Sequence, residues 1–243
     1  MTVRVVLLGM LGSGKSYVAR QAASLTGGIV LPFAKDVYRL AEGVLGRPVD
    51  KAREGDRALL KTIGTDWGRE GRGDVDPELA AKLDVLWGKR SGYADIWVDS
   101  FAGYAGAAGA DRSIFNDDTR FPNELCRVAE LGFLPFYVAC SEPTRAQRLR
   151  MRGEAIASDA YTHPSEIMNT TLSALALEQP LAPVLWNDAA EHAPALDWVL
   201  PGGIFFTWLQ QGMHDRLHAF TQQAPPQQLC EWARAQPWRS SAT

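Results

Sequence analysis

The stretch Gly9-Met10-Leu11-Gly12-Ser13-Gly14-Lys15-Ser16 matches the pattern G-x-x-x-x-G-K-[ST] in full. The pattern is typical of a phosphate-binding loop, or P-loop, that connects a buried strand to a helix. Residues 3–8 before it are apolar and β-branched, and apolar residues recur at helical spacing after it until the glycines at 27 and 28. Because both flanks agree, a glycine-rich turn without a ligand is the weaker interpretation.

The residue types in this motif suit phosphate chemistry. Gly9 and Gly14 permit backbone conformations that residues with a Cβ avoid, so the loop can wrap an anion. The N–H groups of the loop and of the helix start then face the phosphates. We expect Lys15 to reach the β- and γ-phosphates and the Ser16 hydroxyl to bind Mg²⁺. The motif therefore indicates a nucleoside triphosphate site.

Length, charge and cysteine content limit the class of protein. A chain of 243 residues is long enough for one large α/β domain or a domain with an appendage. The net charge of −3 gives no overall attraction to nucleic acid. No window is apolar enough to span a membrane, so we expect no membrane partner. Three widely spaced cysteines and an N-terminus without signal-peptide features predict a cytoplasmic location.

Strand-like and helix-like segments alternate along the chain. The expected strands are residues 3–8, 29–33, 113–116, 133–140 and 184–187, of which 184–187 is expected to be the last. Residues 36–45, 77–87 and 124–131 have helical patterns, whereas residues 64–69 are expected to break one. This alternation predicts a three-layer α/β fold around a mainly parallel sheet. Ligands collect at the carboxyl ends of the strands in such sheets.

Acidic residues follow the expected strand 113–116. An acid at this place is the usual partner of a P-loop in organising Mg²⁺, and both Asp117 and Asp118 are candidates. Because the strand is short and contains the polar Asn116, a helix cap or a turn is the alternative interpretation.

Four arginines, at 145, 148, 150 and 152, fall in the helical segment after strand 133–140. Guanidinium groups suit phosphates. We therefore expect this segment to be a lid that closes over the transferred phosphoryl group, with a solvated helix face as the alternative.

Further motifs resemble those of the deoxynucleoside monophosphate kinases of bacteriophages. Two blocks, Asp118-Thr119-Arg120-Phe121-Pro122-Asn123-Glu124 and His163-Pro164-Ser165-Glu166, are more specific for this family than the P-loop. The other matching stretches, in the family's order, are residues 9–16, Phe33-Ala34-Lys35, Arg57 with Gly64-Thr65 and Arg69, Asp95-Ile96-Trp97-Val98, and 184–188.

The resemblance implies a nucleoside-monophosphate-kinase-like fold, ATP and Mg²⁺ as donor and metal, and a deoxynucleotide 5′-phosphate as acceptor. The expected catalytic residues are Lys15, Asp118 and Arg120, together with Arg148 of the lid segment, and the expected metal ligands are Ser16 and Asp118. The implied ATP-binding residues are Gly9, Gly12, Ser13, Gly14, Lys15, Ser16, Tyr17, Arg145 and Asn187. The implied acceptor-binding residues are Phe33, Lys35, Arg57, Arg69, Trp97, Arg120, Asn123, Glu124, His163 and Glu166.

The domain organisation follows from the reach of these motifs. We expect residues 1–194 to form the P-loop kinase domain, with an acceptor-binding region at about 34–100 and a lid at about 143–166. Residues 195–243 are expected to form a C-terminal helical extension. Apolar residues recur there every four positions and predict one amphipathic helix; they are Phe205, Leu209, Met213 and Leu217. This helix packs on the core or, alternatively, forms the surface of a homodimer or of another partner.

Two other functions stay open. Some phage P-loop kinases that resemble this family phosphorylate the hydroxymethyl group of a pyrimidine, such as hydroxymethyluracil, in DNA. Such an enzyme needs a basic groove and access to an unstacked base. The basic residues at 47, 51, 53, 57, 61, 69 and 72 either form this groove or belong to a solvated surface mixed with acids. The second alternative is a non-catalytic, regulatory module that binds ATP.

Overall fold

A computed structural model describes residues 2–71, 74–151, 164–189 and 192–235, without the side chains of residues 164–166. The arginines at 72 and 152, His163 and the Glu166 side chain therefore lie outside the described residues. The chain divides into two compact units. The first comprises Met1–Leu31 with Ala108–Thr243, and the second comprises Pro32–Ala107.

The first unit is built on a parallel sheet. Its strands are β1 (Arg4–Leu8), β2 (Ile29–Val30), β3 (Ile114–Asn116), β4 (Leu134–Ala139), β5 (Val184–Trp186) and β6 (Val199–Pro201). They are ordered β2-β3-β1-β4-β5-β6, and each neighbouring pair is parallel. The central strand β1 pairs with a strand on each edge, β3 and β4, and helices pack on the faces of the sheet. Its buried residues are therefore apolar. The predicted α/β P-loop fold with a mainly parallel sheet is confirmed.

Two strands differ from their predictions. Strand β2 ends at Val30 instead of residue 33, since only Ile29 and Val30 pair with β3. The prediction that residues 184–187 form the last strand is wrong, because Val199–Pro201 adds β6 beside β5. Strand β6 lies in the region expected to be a C-terminal extension, whose boundary at residue 194 stays a prediction.

Helices connect and cover these strands. They are α1 (Lys15–Thr26), α6 (Pro122–Glu130), α7 (Glu142–Met151), α8 (Pro164–Leu175), α9 (Gly202–Gln210), α10 (His214–Thr221) and α11 (Pro226–Ala235). Helix α1 begins directly after the P-loop glycine Gly14 and ends at Gly27, which adopts the left-handed φ of 62°. Both ends of α1 are where the sequence predicts them.

The prediction of one C-terminal amphipathic helix is wrong. Gly212, at a φ of 66°, ends α9, and the chain starts again as α10. The predicted apolar face is nevertheless buried: Phe205, Leu209 and Leu217 are at most 2% exposed and pack in the same core cluster as the sheet. These three side chains therefore pack on the core, Met213 is half-buried, and a homodimer or partner surface in this region stays a prediction.

The second unit is helical in its described part. It contains α2 (Lys35–Leu45), α3 (Glu54–Lys61), α4 (Pro77–Trp87) and α5 (Ile96–Ala107). The prediction that residues 64–69 break the helix is wrong as far as Trp67, because α3 continues as a π-helix over Thr62–Trp67. The carbonyl oxygen of Gly64, a buried residue, accepts hydrogen bonds from Trp97 Nε1 at 2.8 Å and from Arg69 at 2.9 Å. Gly64 therefore lies within a helical segment instead of a turn.

The C-terminal helices should contribute strongly to stability. Phe205 is fully buried and its ring meets that of Phe136 edge-on, with centroids 5.4 Å apart. We expect Phe205→Ala to lower the free energy of unfolding by about 3–5 kcal/mol. Ile204→Ala on the same helix is the control, since Ile204 is 43% exposed and should change stability by about 0.5 kcal/mol or less. Urea unfolding followed by circular dichroism measures both, and equal effects would contradict the prediction.

Candidate phosphate-binding site

The P-loop runs from the end of β1 into α1 with three glycines in left-handed conformations. Gly9, Gly12 and Gly14 have φ values of 134°, 84° and 96°. A Cβ on Gly9 would lie 2.5 Å from the Val138 carbonyl oxygen, and one on Gly14 would lie 2.1 Å from the Asn187 side-chain nitrogen. Glycine is therefore required both by the backbone conformation and by the surrounding atoms.

Two polar side chains of this loop are suited to an anion. The Lys15 ammonium donates hydrogen bonds to the carbonyl oxygens of Gly9 and Met10, which holds its charge at the loop. The Ser13 hydroxyl is buried, and no partner for it is found among the described residues. A buried hydroxyl without a hydrogen bond costs free energy, and a bound phosphate oxygen would accept one from it. The loop therefore fits the triphosphate of a nucleotide.

Arg148 and Asn187 brace the P-loop from outside. Both donate to the Ser13 carbonyl oxygen, Arg148 through Nη1 at 2.9 Å and Asn187 through Nδ2 at 2.8 Å. Arg148 Nη2 also donates to the Asn187 carbonyl oxygen at 2.9 Å. The guanidinium expected to act on the phosphoryl group thus supports the loop backbone in this structure. The contact joins α7, the P-loop and the end of β5.

Arg145 is also held at the loop. It forms a two-pronged ion pair with Glu142 at 2.7 and 2.9 Å and donates to the Leu11 carbonyl oxygen at 3.4 Å. Only 9% of the residue is exposed. A solvated helix face therefore does not describe Arg145, whereas Arg150 on the same helix is exposed.

A carboxylate at the end of β5 stabilises the start of α7. Asp188 accepts hydrogen bonds from the backbone N–H and the hydroxyl of Ser141. Burial opposes ionisation of Asp188, but the hydrogen bonds from Ser141 and Thr144 outweigh it and hold the pKa of this carboxyl below its usual range. Asp188 is therefore ionised at neutral pH and favours the N-terminal end of α7.

Asp118 lies in the loop after β3, as predicted. Its Oδ1 accepts a hydrogen bond at 2.9 Å from the side-chain amide of Asn116, which is fully buried. Asp117, the other candidate for the metal, is half-buried. Among the described residues, no three or more His, Cys, Asp and Glu side chains cluster as a metal site. A hydroxyl such as that of Ser16 with one carboxylate is the oxygen set with which proteins hold a Mg²⁺ that also binds substrate phosphates.

The remaining predicted acceptor residues of the first unit follow Asp118. Arg120 is exposed and Asn123 is half-buried. The Glu124 carboxylate is buried and accepts the backbone N–H of Arg120 at 2.8 Å and that of Phe121 at 3.2 Å. These contacts are those of a residue that caps α6.

The predicted acceptor residues of the second unit divide into buried and accessible ones. Phe33 is buried and stacks on Phe101 with ring centroids 4.3 Å apart. Trp97 is 1% exposed, which places it in the core of this unit. Lys35 is exposed, and its ammonium lies 3.7 Å from the centre of the Tyr104 ring. Arg57 is exposed and Arg69, bonded to Gly64, is half-buried.

An acidic centre supports Lys35 and its neighbours. Asp36 is 2% exposed and accepts hydrogen bonds from Ser100, Arg39 and Tyr104. Burial raises the pKa of Asp36, but these hydrogen bonds together lower it by more than burial raises it, so that the net shift is downward. The carboxylate therefore fixes the Tyr104 hydroxyl beside Lys35.

Part of the basic surface of the second unit is neutralised by acids. Arg47 binds Asp56 with two hydrogen bonds of 2.7 Å, and the Arg47 hydrogen bonds lower the pKa of Asp56 to about 2. Arg53 pairs with Asp50 at 3.4 Å. For these two arginines, a surface mixed with acids is the interpretation that the structure supports.

One polar residue at this site is not among those predicted from the sequence. Asn169, on α8, is 2% exposed and accepts the Gly9 N–H at 2.9 Å. An amide next to the apolar residues Ile167, Met168 and Leu172 was the available signal, because a polar residue on a buried helix face needs a partner.

Comparisons with known proteins show distant similarity over most of the chain. Protein TT1252 from Thermus thermophilus is 17% identical, the match covers 90% of this chain and 98% of that one, and the TM-score is 0.43. Shikimate kinase from Acinetobacter baumannii is 12% identical, over 89% and 95% of the two chains, with a TM-score of 0.39. A sugar kinase from Janibacter is 16% identical, over 91% and 99%, with a TM-score of 0.36.

Comparisons of sequence add no relative. No protein-family model matches this chain, and a search of curated proteins finds no match. The assignment of the site therefore rests on the P-loop geometry of the chain itself.

Within the described ranges, none of the helices has the length and apolar character needed to cross a membrane.

Proposed function

We propose that this chain transfers the γ-phosphoryl group of ATP to the 5′-phosphate of a deoxynucleoside monophosphate. The donor half is supported by the P-loop, in which Lys15 and the buried Ser13 hydroxyl, for which the described part of the chain offers no hydrogen-bond partner, flank a backbone open to an anion. The identity of the acceptor rests on the family resemblance of the blocks at 118–124 and 163–166.

The chain contributes mainly position and charge to such a transfer. ATP with Mg²⁺ supplies the phosphoryl group and part of the counter-charge when bound. The Lys15 ammonium exchanges its carbonyl partners for phosphate oxygens, where it offsets charge on the transferred group. Arg148 and Asn187 keep the Ser13 peptide turned so that its carbonyl points away from the anion. Asp118, together with Ser16, would hold the Mg²⁺, which would offset charge on the donor phosphates.

The features of the second unit favour a free nucleotide over DNA as acceptor. Lys35 is an exposed cation beside Tyr104, and one such group suits a single phosphate. Binding to a DNA backbone uses many unpaired cations along a groove, whereas Arg47 and Arg53 are paired with acids.

Transfer from labelled ATP tests this proposal directly. The purified protein is offered each deoxynucleoside monophosphate and, separately, DNA that contains hydroxymethyluracil. We expect label in at least one deoxynucleoside diphosphate. Label in DNA alone would replace the proposed acceptor by the alternative one. ATP binding without transfer to either would leave the regulatory ATP-binding module as the function.

A further inference from the structure

Asn169 connects two loops that are far apart in sequence. From α8, its Oδ1 accepts the backbone N–H of Gly9 at 2.9 Å, and its Nδ2 donates to the Thr119 carbonyl oxygen at 3.2 Å. Gly9 opens the P-loop, and Thr119 follows Asp118. One buried amide therefore joins the start of the donor phosphate loop to the loop that carries the candidate metal or base residue.

The connection continues to the Asp118 carboxylate through buried groups. The Thr119 hydroxyl donates to Asn116 Oδ1 at 2.7 Å. Asn116 Nδ2 in turn donates to Asp118 Oδ1 at 2.9 Å and to the Leu31 carbonyl oxygen at 3.0 Å. Three residues of this connection are at most 2% exposed: Asn169, Thr119 and Asn116. We call these three residues the amide relay.

The direction of each hydrogen bond in the relay is determined by its partners. Asn116 Nδ2 faces a carbonyl and a carboxylate, so it must donate, and Oδ1 is left to accept from Thr119. Asn169 Oδ1 faces an N–H group and Nδ2 faces a carbonyl oxygen. A buried network whose members are all satisfied is rigid, because any rotation leaves a polar group unpaired.

We propose that Asn169 is a positioning residue that sets where the Asp118 carboxylate lies relative to the P-loop. This inference rests on the proposed function, in which Asp118 acts beside phosphates held by the P-loop. A structural filler on α8 requires no amide, since Leu has nearly the same shape and avoids burying polar atoms. The amide instead fits a link that must contact one donor and one acceptor at once.

Two substitutions separate the two halves of this link. Asn169→Leu removes both hydrogen bonds, whereas Asn169→Asp keeps an acceptor for Gly9 and loses the donor to Thr119. Because misplacement of a reacting group by about 1 Å costs on the order of 10²-fold in rate, we expect a loss of kcat of that order in both variants. We expect KM for ATP to change by about threefold or less, since Lys15 and the other groups of the P-loop that face the phosphates are not altered. Thr171→Ala on the same helix is the control.

A double-mutant cycle with Asp118→Asn distinguishes positioning from general damage. If Asn169 acts through Asp118, Asn169→Asp should lower kcat by only about twofold or less when Asp118 is already Asn. A full loss on top of Asp118→Asn would overturn the proposal, because it would show independent effects. Thermal unfolding of each variant establishes that the folded protein is being compared.

A second readout does not depend on phosphoryl transfer. In the nucleotide-free protein, the Gly9 amide should exchange its hydrogen about tenfold faster in Asn169→Leu than in Thr171→Ala. With ATP, calorimetry should show that Asn169→Asp and Asp118→Asn each reduce the gain in ATP affinity on adding Mg²⁺. An unchanged gain in Asn169→Asp would overturn the link to Asp118. A further outcome is that the wild-type protein transfers no phosphate while the variants still show the faster Gly9 exchange and the reduced gain in ATP affinity. In that case the proposed function fails and the positional link between Asn169 and Asp118 stands.

Discussion

Replacing Lys15 by Ala should reduce phosphoryl transfer by about 10²- to 10³-fold, the loss that follows removal of one donor aimed at developing charge. In the structure, the Lys15 ammonium donates hydrogen bonds to the backbone carbonyl oxygens of Gly9 and Met10. Such bonds are weaker than those to an anion, so the ammonium can move to the phosphates. Initial rates with saturating ATP and acceptor measure the loss.

Arg20→Ala is the matched control for this prediction. Arg20 is exposed on the same helix, α1, and its removal takes away the same charge without touching the P-loop. We expect its rate to stay within about twofold of wild type, because an exposed charge contributes little. Lys15→Ala with a rate similar to that of Arg20→Ala would remove the P-loop from the mechanism. The loss of rate in Lys15→Ala should also persist at high salt, since salt screens a direct contact less than a distant charge.

The part of the fold that the sequence predicted best is the part with coinciding local signals. The bounds of α4 are those predicted, because Asp76 caps it by accepting the Leu79 N–H at 2.9 Å and Gly88 ends it at a φ of 64°. The segment that comprises β1, the P-loop and α1 is predictable for the same reason. In both cases, residues within a few positions of each other determine the structure.

Elements that depend on distant partners were not predictable in this way. Strand β6 has only three residues, and its strand character comes from pairing with β5. The continuation of α3 past Gly64 depends on Trp97 and Arg69, which bond the Gly64 carbonyl from beyond the helix. Local propensity disfavours glycine inside a helix, and tertiary contacts reverse that preference here.

The site shows the same division. The P-loop residues form one contiguous motif, and their left-handed glycines follow from that motif. Asn169 lies 160 positions from Gly9 along the chain, and the hydrogen bond between them exists only once α8 has reached the P-loop in the folded chain. Arg148 was predicted to act on phosphate, but its bonds to the Ser13 and Asn187 carbonyls depend on the placement of α7. Sequence patterns identify residue types, whereas these partners depend on the packing.

Asp118→Asn should lower the rate by about 10²- to 10⁴-fold if Asp118 takes a proton from the acceptor. The substitution keeps an oxygen that can accept the 2.9 Å hydrogen bond from Asn116 and removes the negative charge. The loop should therefore keep its shape, and the loss reports on the charge. Asp117→Asn removes the neighbouring charge, and we expect a smaller loss from it, because none of the buried amides that the structure describes orients Asp117 in the way that Asn116 orients Asp118.

The metal dependence of Asp118→Asn separates the two acceptor classes. A phosphate acceptor is already ionised at neutral pH and needs no strong base, so the role left for Asp118 is to organise Mg²⁺. Mn²⁺ accepts nitrogen and oxygen ligands more readily than the harder Mg²⁺ does. It should therefore restore part of the rate that Asp118→Asn loses. A hydroxyl acceptor must lose its proton, and no change of metal replaces that base. Rate measurements in Mg²⁺ and Mn²⁺ therefore test the nucleotide acceptor: a severe loss that Mn²⁺ leaves untouched would contradict it.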